Sequence, residues 1–566
     1  MSETADLQTP PASDSSEQAF LKIVGQIGIC VFLLLLLFYG VCITGVVFKE
    51  PDIAFLLGQG RWIVEHGQIP ASDPFSWTTP FYPNPYVIEK WLTEVIFYTI
   101  EKHFGLTSLL IFDGIISCLT FVVIPYRIAY LCGMRGAAAM RMVVLTMLAS
   151  MCHLSVRPEI FSGFFTAAIM EIMVRIQIAT AGNTKIRWDF IILLAAIMCL
   201  WTNTHTLFIL GILIPGFYLT CQLVERFILK PQDKAINLTV AISIAGCFLA
   251  SLINPYGLLQ WTYLPITFGS FNETVNDMQP LKLSNCTNPL FIPYYILIFT
   301  GIKELFRVRK YPLNQGDLFF RWLIPLGIIG GVKAVRSIPI GGLFLATGRT
   351  KVWQMLRKEQ AATAESASAE PGGEIAVPAE SHSQTTFTGS TSVETPIRAD
   401  SKFAALTDPF KPFWPILCIV TTCIGVYICT FAVIPMVPQN SAAFSPPFQA
   451  IEFIERKKPV GNMLNDPHFG ATMIYKMKEN PRVFVDPRYN LYGKDLIQNY
   501  WHIVNCDANC EQLLDHYKID WVFISPKTKL PEKLSKDPAW TLLYEDKGAV
   551  IYARKNPMAN SSAKVD

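Results

Sequence analysis

Residues 23–48 of this 566-residue chain read IVGQIGICVFLLLLLFYGVCITGVVF and contain no charged side chain. A helix needs roughly 20 apolar residues to cross a bilayer, so this stretch predicts a first membrane span. Residues 1–20 are polar and have neither a basic region nor a cleavage site of small residues. We therefore expect the span to be uncleaved and the tail before it to be cytoplasmic and disordered.

Similar apolar blocks recur along most of the chain. They lie near residues 106–126, 138–154, 159–174, 189–202, 206–223, 236–253, 290–302, 318–332 and 413–436. The whole sequence is 51% hydrophobic and 16% charged, which is unlike an ordinary soluble domain. The predicted fold class is mostly α: a polytopic transmembrane helical bundle of about 10 to 12 helices over residues 21–347, then a last transmembrane helix at 413–436 and a C-terminal α/β domain.

Lys and Arg residues in the short joints orient the bundle, because such residues favour the cytoplasmic side. They are grouped as Arg127, Arg135 and Arg141; Arg175, Lys185 and Arg187; Arg226, Lys230 and Lys234; and Lys303, Arg307, Arg309 and Lys310. The other joints then face outward, including the outer loop 49–90, provided that the amphipathic segment from Trp91 to Phe104 is not a full crossing. The sequence leaves that segment open, and the expected location is the plasma (inner) membrane.

Two segments near the C-terminus differ from the spans. Residues 358–403 consist mainly of Ala, Ser, Thr, Glu, Pro and Gly and predict a disordered cytoplasmic loop. Residues 438–556 alternate helical and strand periodicity, in FQAIEFIERKK, GNMLN, GATMIYKMK, RVFVD, EQLLDHYK, DWVFIS and GAVIYAR. They predict a soluble α/β domain, which the parity of the spans places outside the cytoplasm.

This C-terminal domain carries polar residues near the ends of its predicted strands. They are Asp466, His468, Asp486 and Arg488. Such positions often bind ligands, so the group could recognise an acceptor, pack onto the outer loop, or only cap helices and turns. Cys506 and Cys510 could form a disulfide or stay as two thiols, and they have no partner pair for a zinc site.

The outer loop is the stretch with the most candidates for chemistry: PDIAFLLGQGRWIVEHGQIPASDPFSWTTPFYPNPYVIEKWLTE, from residue 51 to residue 94. It places Asp52, Asp73, Glu89 and Glu94 close to the membrane surface. These charges could simply be solvated beside an aromatic belt. The regular glycines and prolines instead favour a defined backbone path.

Several motifs resemble those of one superfamily. The outer loop contains G-x-W-I-x-x-x-G-x-I-P-x-x-D-P-F-S followed by W-L-x-E, and further matches are HLSVRPE at 153–159, WTNTH at 201–205, NPYG at 254–257, GNMLNDPHFGATMIY at 461–475 and RVFVDPRYNLY at 482–492. Together they resemble polytopic bacterial proteins of the C-type glycosyltransferase superfamily. That superfamily includes protein mannosyltransferases, aminoarabinose transferases and oligosaccharyltransferases.

The resemblance implies an enzyme that takes a sugar from a polyprenyl-phosphate donor and passes it, with inversion, to an extracytoplasmic acceptor. An acidic residue of the first outer loop would deprotonate or orient the acceptor. Asp52 matches that position, and Asp73, Glu89 and Glu94 are rivals. A helix starting near Ile88 would place Glu89 and Glu94 on nearly opposite faces, so the two are not expected to share one role.

A set of cationic and polar residues lies at the predicted outer ends of different spans. Its members are Arg157, Arg336, Lys333, Asn203 and His205. Such groups are costly at membrane depth unless they are paired or face an aqueous cavity. Arginine suits a phosphate group through its planar two-point geometry, so this set predicts the donor-phosphate site. The alternative is that each residue only snorkels to the interface or caps a helix.

No D-x-D motif, P-loop or H-E-x-x-H motif occurs in a usable context. We therefore expect no cofactor and no metal ligands, although a divalent metal held by dispersed carboxylates stays open. The expected partners are a polyprenyl-phosphate sugar, an acceptor that is a lipid, glycan or protein, and membrane lipids; a net charge of +3 without a basic stripe gives no reason to expect nucleic acid. Competing interpretations are a transporter or flippase and a non-catalytic scaffold.

Overall fold

The computed structural model of the protein describes residues 52–368 and 447–557, except for positions 83, 181–184, 230–235, 270–278, 312, 314–315 and 478–480. The predicted spans at 23–48 and 413–436 and residues 369–403 of the predicted loop lie outside this range. The described part consists of a helical bundle and a C-terminal α/β domain, which confirms the mostly α class with an α/β region at its end.

Twelve helices precede the C-terminal domain in the described range. They are α1 (Asp52–His66), α2 (Trp91–Phe104), α3 (Ser108–Leu131), α4 (Gly136–His153), α5 (Glu159–Ala179), α6 (Trp188–Thr204), α7 (Thr206–Leu229), α8 (Leu238–Ser251), α9 (Leu259–Gly269), α10 (Ile292–Val308), α11 (Asp317–Lys333) and α12 (Ile338–Ser368). Among the described helices, α3, α4 and α7 are long and apolar enough to cross a membrane.

Small residues let α11 and α12 pack backbone to backbone. A Cβ atom built on Gly327 would lie 2.6 Å from the carbonyl oxygen of Gly341, and one on Gly348 would lie 2.8 Å from the carbonyl oxygen of Phe320. Close approach through small residues is how helices associate in lipid, where apolar burial gives no drive. The helix pair forms one side of the bundle, next to α10.

The C-terminal domain is a four-stranded mixed sheet with helices. Its elements are α13 (Phe448–Lys457), β1 (Asn462–Asn465), α14 (Pro467–Lys476), α15 (Tyr489–Val504), α16 (Cys510–His516), β2 (Ile519–Ile524), α17 (Leu530–Lys536), β3 (Trp540–Glu545) and β4 (Val550–Arg554). The order is β1-β2-β4-β3, with β1 parallel to β2 and the other pairs antiparallel. Every residue of β2 is buried, including Asp520, whose carboxylate accepts a hydrogen bond from Asn462 N at 2.9 Å.

Several sequence expectations need correction here. The outer loop is not irregular throughout, because it contains α1. The segment from Ile338 onward forms a helix that was not expected as a block, and it reaches Ser368, inside the segment predicted to be disordered. RVFVD forms no strand of the sheet. Of the two alternatives left open for Cys506 and Cys510, the structure has two free thiols.

The outer loop and the C-terminal domain are packed together. Ser76 and Val483 form a parallel bridge, in which Val483 N donates to Phe75 O at 2.8 Å and Trp77 N donates to Val483 O at 3.1 Å. Residues of RVFVD therefore pair with the outer loop on one side, while the Asn465 side chain at the end of β1 bonds to Phe484 N and Val485 O, each at 2.7 Å. This contact explains why the segment looks like a strand in sequence, since it is extended and apolar.

Helix α1 lies between α2 and α14, and two glycines make room for both. A Cβ atom on Gly58 would lie 2.6 Å from Ile474 Cγ2, and one on Gly60 would lie 2.1 Å from the carbonyl oxygen of Glu94. Arg61 then donates to the last carbonyl groups of α14, including Tyr475 O at 2.9 Å, where a cation is favoured by the helix dipole.

Candidate active site

A cavity of about 590 Å³ lies where the outer loop, the ends of several bundle helices and the C-terminal domain meet. The outer loop contributes the N-terminus of α1 and the segment around Glu89. The bundle contributes the start of α5, the junction of α6 and α7, α9 and the start of α12, and the C-terminal domain contributes His468 and residues 487–491. Three separate parts of the sequence are thus needed to close one space.

Three carboxyl groups line the cavity on the outer-loop side: Asp52, Glu89 and Glu94. Asp52 is the first residue of α1 and is half-buried. Glu89 accepts a hydrogen bond from Thr267 Oγ1, and its segment is fixed because Ile88 N donates to the Tyr256 hydroxyl group at 3.0 Å. The NPYG motif therefore acts by holding this part of the outer loop.

Burial perturbs two of these carboxyl groups. It raises the pKa of Glu89 to about 7, against the opposing effects of the Thr267 hydrogen bond and of Lys90. It raises the pKa of Glu94 to about 8, against the attraction of Lys90 and Arg488. Both groups hold protons more readily than an ordinary carboxyl group, because the charged form is poorly solvated.

Glu94 also belongs to a short polar network. With the Gln59 amide oriented to match its neighbours, its oxygen accepts from the Tyr86 hydroxyl group at 2.6 Å and its nitrogen donates to Glu94 Oε1 at 3.2 Å. Helix α2 begins at Trp91, so Glu89 precedes it. The expectation that a helix from Ile88 separates Glu89 and Glu94 onto opposite faces is therefore wrong, and both residues face the cavity.

Another part of the lining is cationic because it carries two arginines. It contains Arg157, Arg336, His153 and His205, together with Glu159. Arg336 forms an ion pair with Glu159. The side chain of His205 is held by Ser162, whose Oγ lies 2.7 Å from His205 Nδ1 and accepts from Trp201 Nε1 at 2.8 Å. Trp201 thus fixes the Ser162 hydroxyl group, and this hydroxyl group orients the imidazole at the break between α6 and α7.

Three predicted site residues lie outside the cavity lining. Asn203 is used structurally: it accepts from Trp91 Nε1 at 2.8 Å and donates to the carbonyl groups of Cys199 and Ile253, which ties the start of α2 to the bundle. Lys333 is exposed at the end of α11. Asp73 is buried beneath the cavity wall. The roles assigned to Asn203, Lys333 and Asp73 stay predictions. Among the candidate acidic and phosphate-binding residues, the geometry favours those that line the cavity.

Asp73 is the partner of Arg488. Its two carboxylate oxygens each lie 3.0 Å from one terminal nitrogen of the guanidinium group, and Asp486 Oδ2 lies 2.5 Å from the same group. The Phe55 ring of α1 covers the guanidinium group at 4.8 Å. Arg488 thus packs onto the outer loop through Asp73, and it also lines the cavity.

The whole chain can be compared with known proteins by sequence and by structure. No family model matches it, and no curated protein matches it. Among solved structures, the apo oligosaccharyltransferase of Archaeoglobus fulgidus matches over 93% of this chain and 74% of that one, with a TM-score of 0.54 and 10% identity. The same enzyme tethered with an acceptor peptide containing the NVT sequon matches over 95% and 74%, with a TM-score of 0.52 and 10% identity.

This chain has the fold of the Archaeoglobus oligosaccharyltransferase. The resemblance to polytopic membrane glycosyltransferases is thereby confirmed at the level of the fold. ArnT from Cupriavidus metallidurans, bound to undecaprenyl phosphate, also matches over 96% of this chain and 98% of that one, at 12% identity, but its TM-score of 0.44 is too low to support an argument.

Within this fold, the described residues contain no group of three His, Cys, Asp or Glu side chains placed to hold a metal ion. Two functional candidates were missed from the sequence, although one ends a quoted motif and the other directly precedes one. Glu159 ends HLSVRPE, and Lys90 precedes W-L-x-E; both line the cavity. The signal for Glu159 was its position two residues after Arg157, which puts both at the start of α5.

Proposed function

We propose that the protein is a membrane glycosyltransferase that moves a sugar from a polyprenyl-phosphate donor to an acceptor nucleophile, with inversion at the anomeric carbon. The observation that carries the proposal is the single cavity whose lining contains both carboxyl groups, among them Asp52, and arginines, among them Arg157 and Arg336. Such a pairing suits a reaction in which a proton leaves the acceptor while negative charge develops on a phosphate leaving group.

Asp52 is proposed as the group that receives the acceptor proton or orients the acceptor. It is half-buried at the N-terminus of α1, facing the residues contributed by the C-terminal domain. Glu94 suits this role less well, because burial raises its pKa to about 8 and it is mostly protonated at neutral pH, whereas Glu89, with its pKa raised to about 7, is the alternative base. A carboxyl group that already holds a proton cannot act as a base.

The donor phosphate is proposed to bind at Arg157 and Arg336, with His205 beside them. Arginine can give a phosphate two parallel charge-assisted hydrogen bonds. Apolar side chains continue the lining next to this cationic part, including Phe121, Ile160 and Ile340. They suit a ligand whose phosphate is attached to a long hydrocarbon chain, and the membrane-protein fold agrees with a donor anchored in lipid.

The test is transfer by the purified full-length chain in lipid, using radiolabelled polyprenyl-phosphate sugars. Asp52→Asn should lower turnover by roughly 100- to 10,000-fold, because the amide keeps the shape and loses the base. The matched control is Glu532→Gln, which removes an exposed carboxylate that pairs with Lys536 far from the cavity. Near wild-type turnover of Asp52→Asn would move the role to Glu89.

A second outcome would contradict the proposal as a whole. If the wild-type chain transfers sugar from no polyprenyl-phosphate donor, but moves such lipids between leaflets of a vesicle, the transporter interpretation replaces it.

A further inference from the structure

Glu159 is an acidic residue in the cationic part of the cavity. It is the first residue of the 21-residue helix α5 and forms an ion pair with Arg336. It also interacts electrostatically with Arg157, His153 and His205. Its side chain is 24% exposed and lines the cavity, so it is not a buried structural ion pair. A site built only to attract an anion has no use for a carboxylate at this position.

The charge of the bound phosphate changes during the proposed reaction. The acceptor atom forms a bond to the anomeric carbon, the bond between that carbon and the phosphate oxygen breaks, and its electron pair stays on the phosphate. The acceptor proton passes to Asp52. A donor phosphodiester carries one negative charge, whereas the product phosphate monoester carries about 1.5 to 2 at neutral pH. Up to about one negative charge is thus added at the arginines when the product must leave.

We propose that Glu159 makes the phosphate site selective for charge, so that it holds the monoanionic donor and releases the dianionic product. This inference rests on the proposed function. The carboxylate offsets part of the positive charge of Arg157 and Arg336. The positive charge of the site is thereby lowered by one unit, and the second negative charge of the product is repelled by Glu159.

The expected size of the effect is measurable. At an effective dielectric constant of about 20, one unit charge changes the binding of another about 4 to 10 Å away by roughly ten- to 1,000-fold. Donor and product differ by about one charge. Removing the charge of Glu159 should therefore tighten the product more than the donor by roughly tenfold or more.

The experiment needs no knowledge of the sugar. The full-length chain in lipid nanodiscs is titrated at pH 8 with two probes, undecaprenyl phosphate and its monomethyl ester, which carries one charge. In the wild type, the dissociation constant of the phosphate should be no lower than that of its methyl ester. In Glu159→Gln it should fall about tenfold relative to the ester, and turnover should become limited by product inhibition.

Two variants serve as controls. Glu159→Asp keeps the charge and should keep the wild-type ratio of the two constants. Glu304→Gln breaks a comparable ion pair with Arg349 that does not line the cavity, and it should leave both constants unchanged. If Glu159→Gln fails to fold, the wild type alone decides between the alternatives. A purely cationic pocket would bind the doubly charged phosphate much more tightly than its methyl ester, and that result would overturn the proposal.

Each other outcome has a defined meaning. An unchanged ratio in Glu159→Gln, with both probes bound, would overturn the charge-selection role and leave the phosphate site standing. Loss of binding in Glu159→Gln would also overturn it and would mean that Glu159 only holds Arg336 in place. If neither probe binds to the wild type or to any variant, the proposed function itself fails at this site.

Discussion

Arg488 shows how a single side chain joins two distant parts of the sequence. Its guanidinium group is 12% exposed and lies between Asp73 of the outer loop and Asp486 of its own domain, both of them fully buried side chains. Two buried carboxylates facing one arginine leave a net negative charge. Removing the guanidinium group would leave both carboxylates buried without a positive partner. The aromatic rings around it keep water out.

Substitution of Arg488 tests this junction. Arg488→Lys keeps the charge but loses the two-point contact with Asp73, so we expect a loss of roughly 1.5 to 3 kcal/mol from the docked domain and a matching fall in apparent melting temperature. The control is Arg554→Lys, which affects an ion pair with Asp515 whose carboxylate is 56% exposed. Equal melting temperatures for the two variants would contradict the junction.

Glu94 gives a prediction about pH. Its pKa is raised to about 8 in the folded protein because it is buried, so the folded state binds a proton that the unfolded chain has already released. Stability is therefore fully present below about pH 4.5 and falls as pH rises toward 8, by about 1.4 kcal/mol per pH unit.

Glu94→Gln removes this titration. Its apparent melting temperature should exceed that of the wild type at pH 8 and be close to it near pH 5. Glu65→Gln on the exposed face of α1 is the control and should show no such pH-dependent gain. If Glu94→Gln lowers the melting temperature equally at both pH values, the carboxyl group is ionised and paired in the folded state.

At the scale of single elements, the outer loop depends on α1. Gly60→Ala should be more harmful than Gly58→Ala, because the new methyl group would come closer to the backbone carbonyl group of Glu94 than a methyl group on Gly58 would come to the carbonyl oxygen of Ile474, at 2.8 Å. We expect Gly60→Ala to separate α1 from α2 and to lower activity and melting temperature together. Gly67→Ala is not a suitable control, because Gly67 has a positive φ of 65°.

Gly216→Ala is the better control for these glycines, since an added Cβ atom there meets nothing within 4 Å. It should leave activity and melting temperature unchanged. Normal activity of Gly60→Ala would contradict this prediction, because it would mean that α1 and α2 can move apart without affecting the site.

The same elements show why some of the fold could be predicted from sequence. Blocks such as 206–223 were found because a lipid-facing helix must be apolar over its whole length, and a helix from Thr206 to Leu229 is there. Helix α1 was missed because nine of its 15 residues are buried against other elements, so its apolar residues do not form a single amphipathic face.

The candidate site could be predicted only in part. Arg157 and Arg336 stood out because charged groups at membrane depth are costly unless they are paired or face a cavity, and both line the cavity. Asn203 stood out for the same reason, yet it fastens Trp91. Sequence cannot separate these cases, because binding and fastening both require a polar group at the same depth.

At the scale of the whole molecule, the outer loop and the C-terminal domain form one structural unit at one end of the bundle. Trp77 Nε1 donates to Met463 O at 3.0 Å, Thr78 Oγ1 donates to Phe484 O at 2.8 Å, and Tyr475 donates to Glu101 at 2.9 Å. These bonds connect residues several hundred positions apart. The cavity is therefore complete only when the C-terminal domain is docked, which makes docking a condition for transfer under the proposed function.

This arrangement leads to a prediction about topology. The outer loop, the joint at 254–289 and the C-terminal domain are all expected on the extracytoplasmic side, from the positions of Lys and Arg along the chain. Cys286 is exposed in that joint, and Cys506 is half-buried in the C-terminal domain. In single-cysteine variants expressed in intact cells, a membrane-impermeant thiol reagent should label both residues from outside.

Two further positions calibrate the labelling experiment. Cys510 is only 1% exposed and should resist the reagent until the protein is denatured. A cysteine introduced at Lys185, in an expected cytoplasmic joint, should be labelled only after the membrane is made permeable. If Cys286 is labelled from outside and Cys506 only after permeabilisation, the joint and the domain lie on opposite sides. That result is incompatible with the proposed site, because Ile88 of the outer loop contacts Tyr256 of this joint and the same loop contacts the domain.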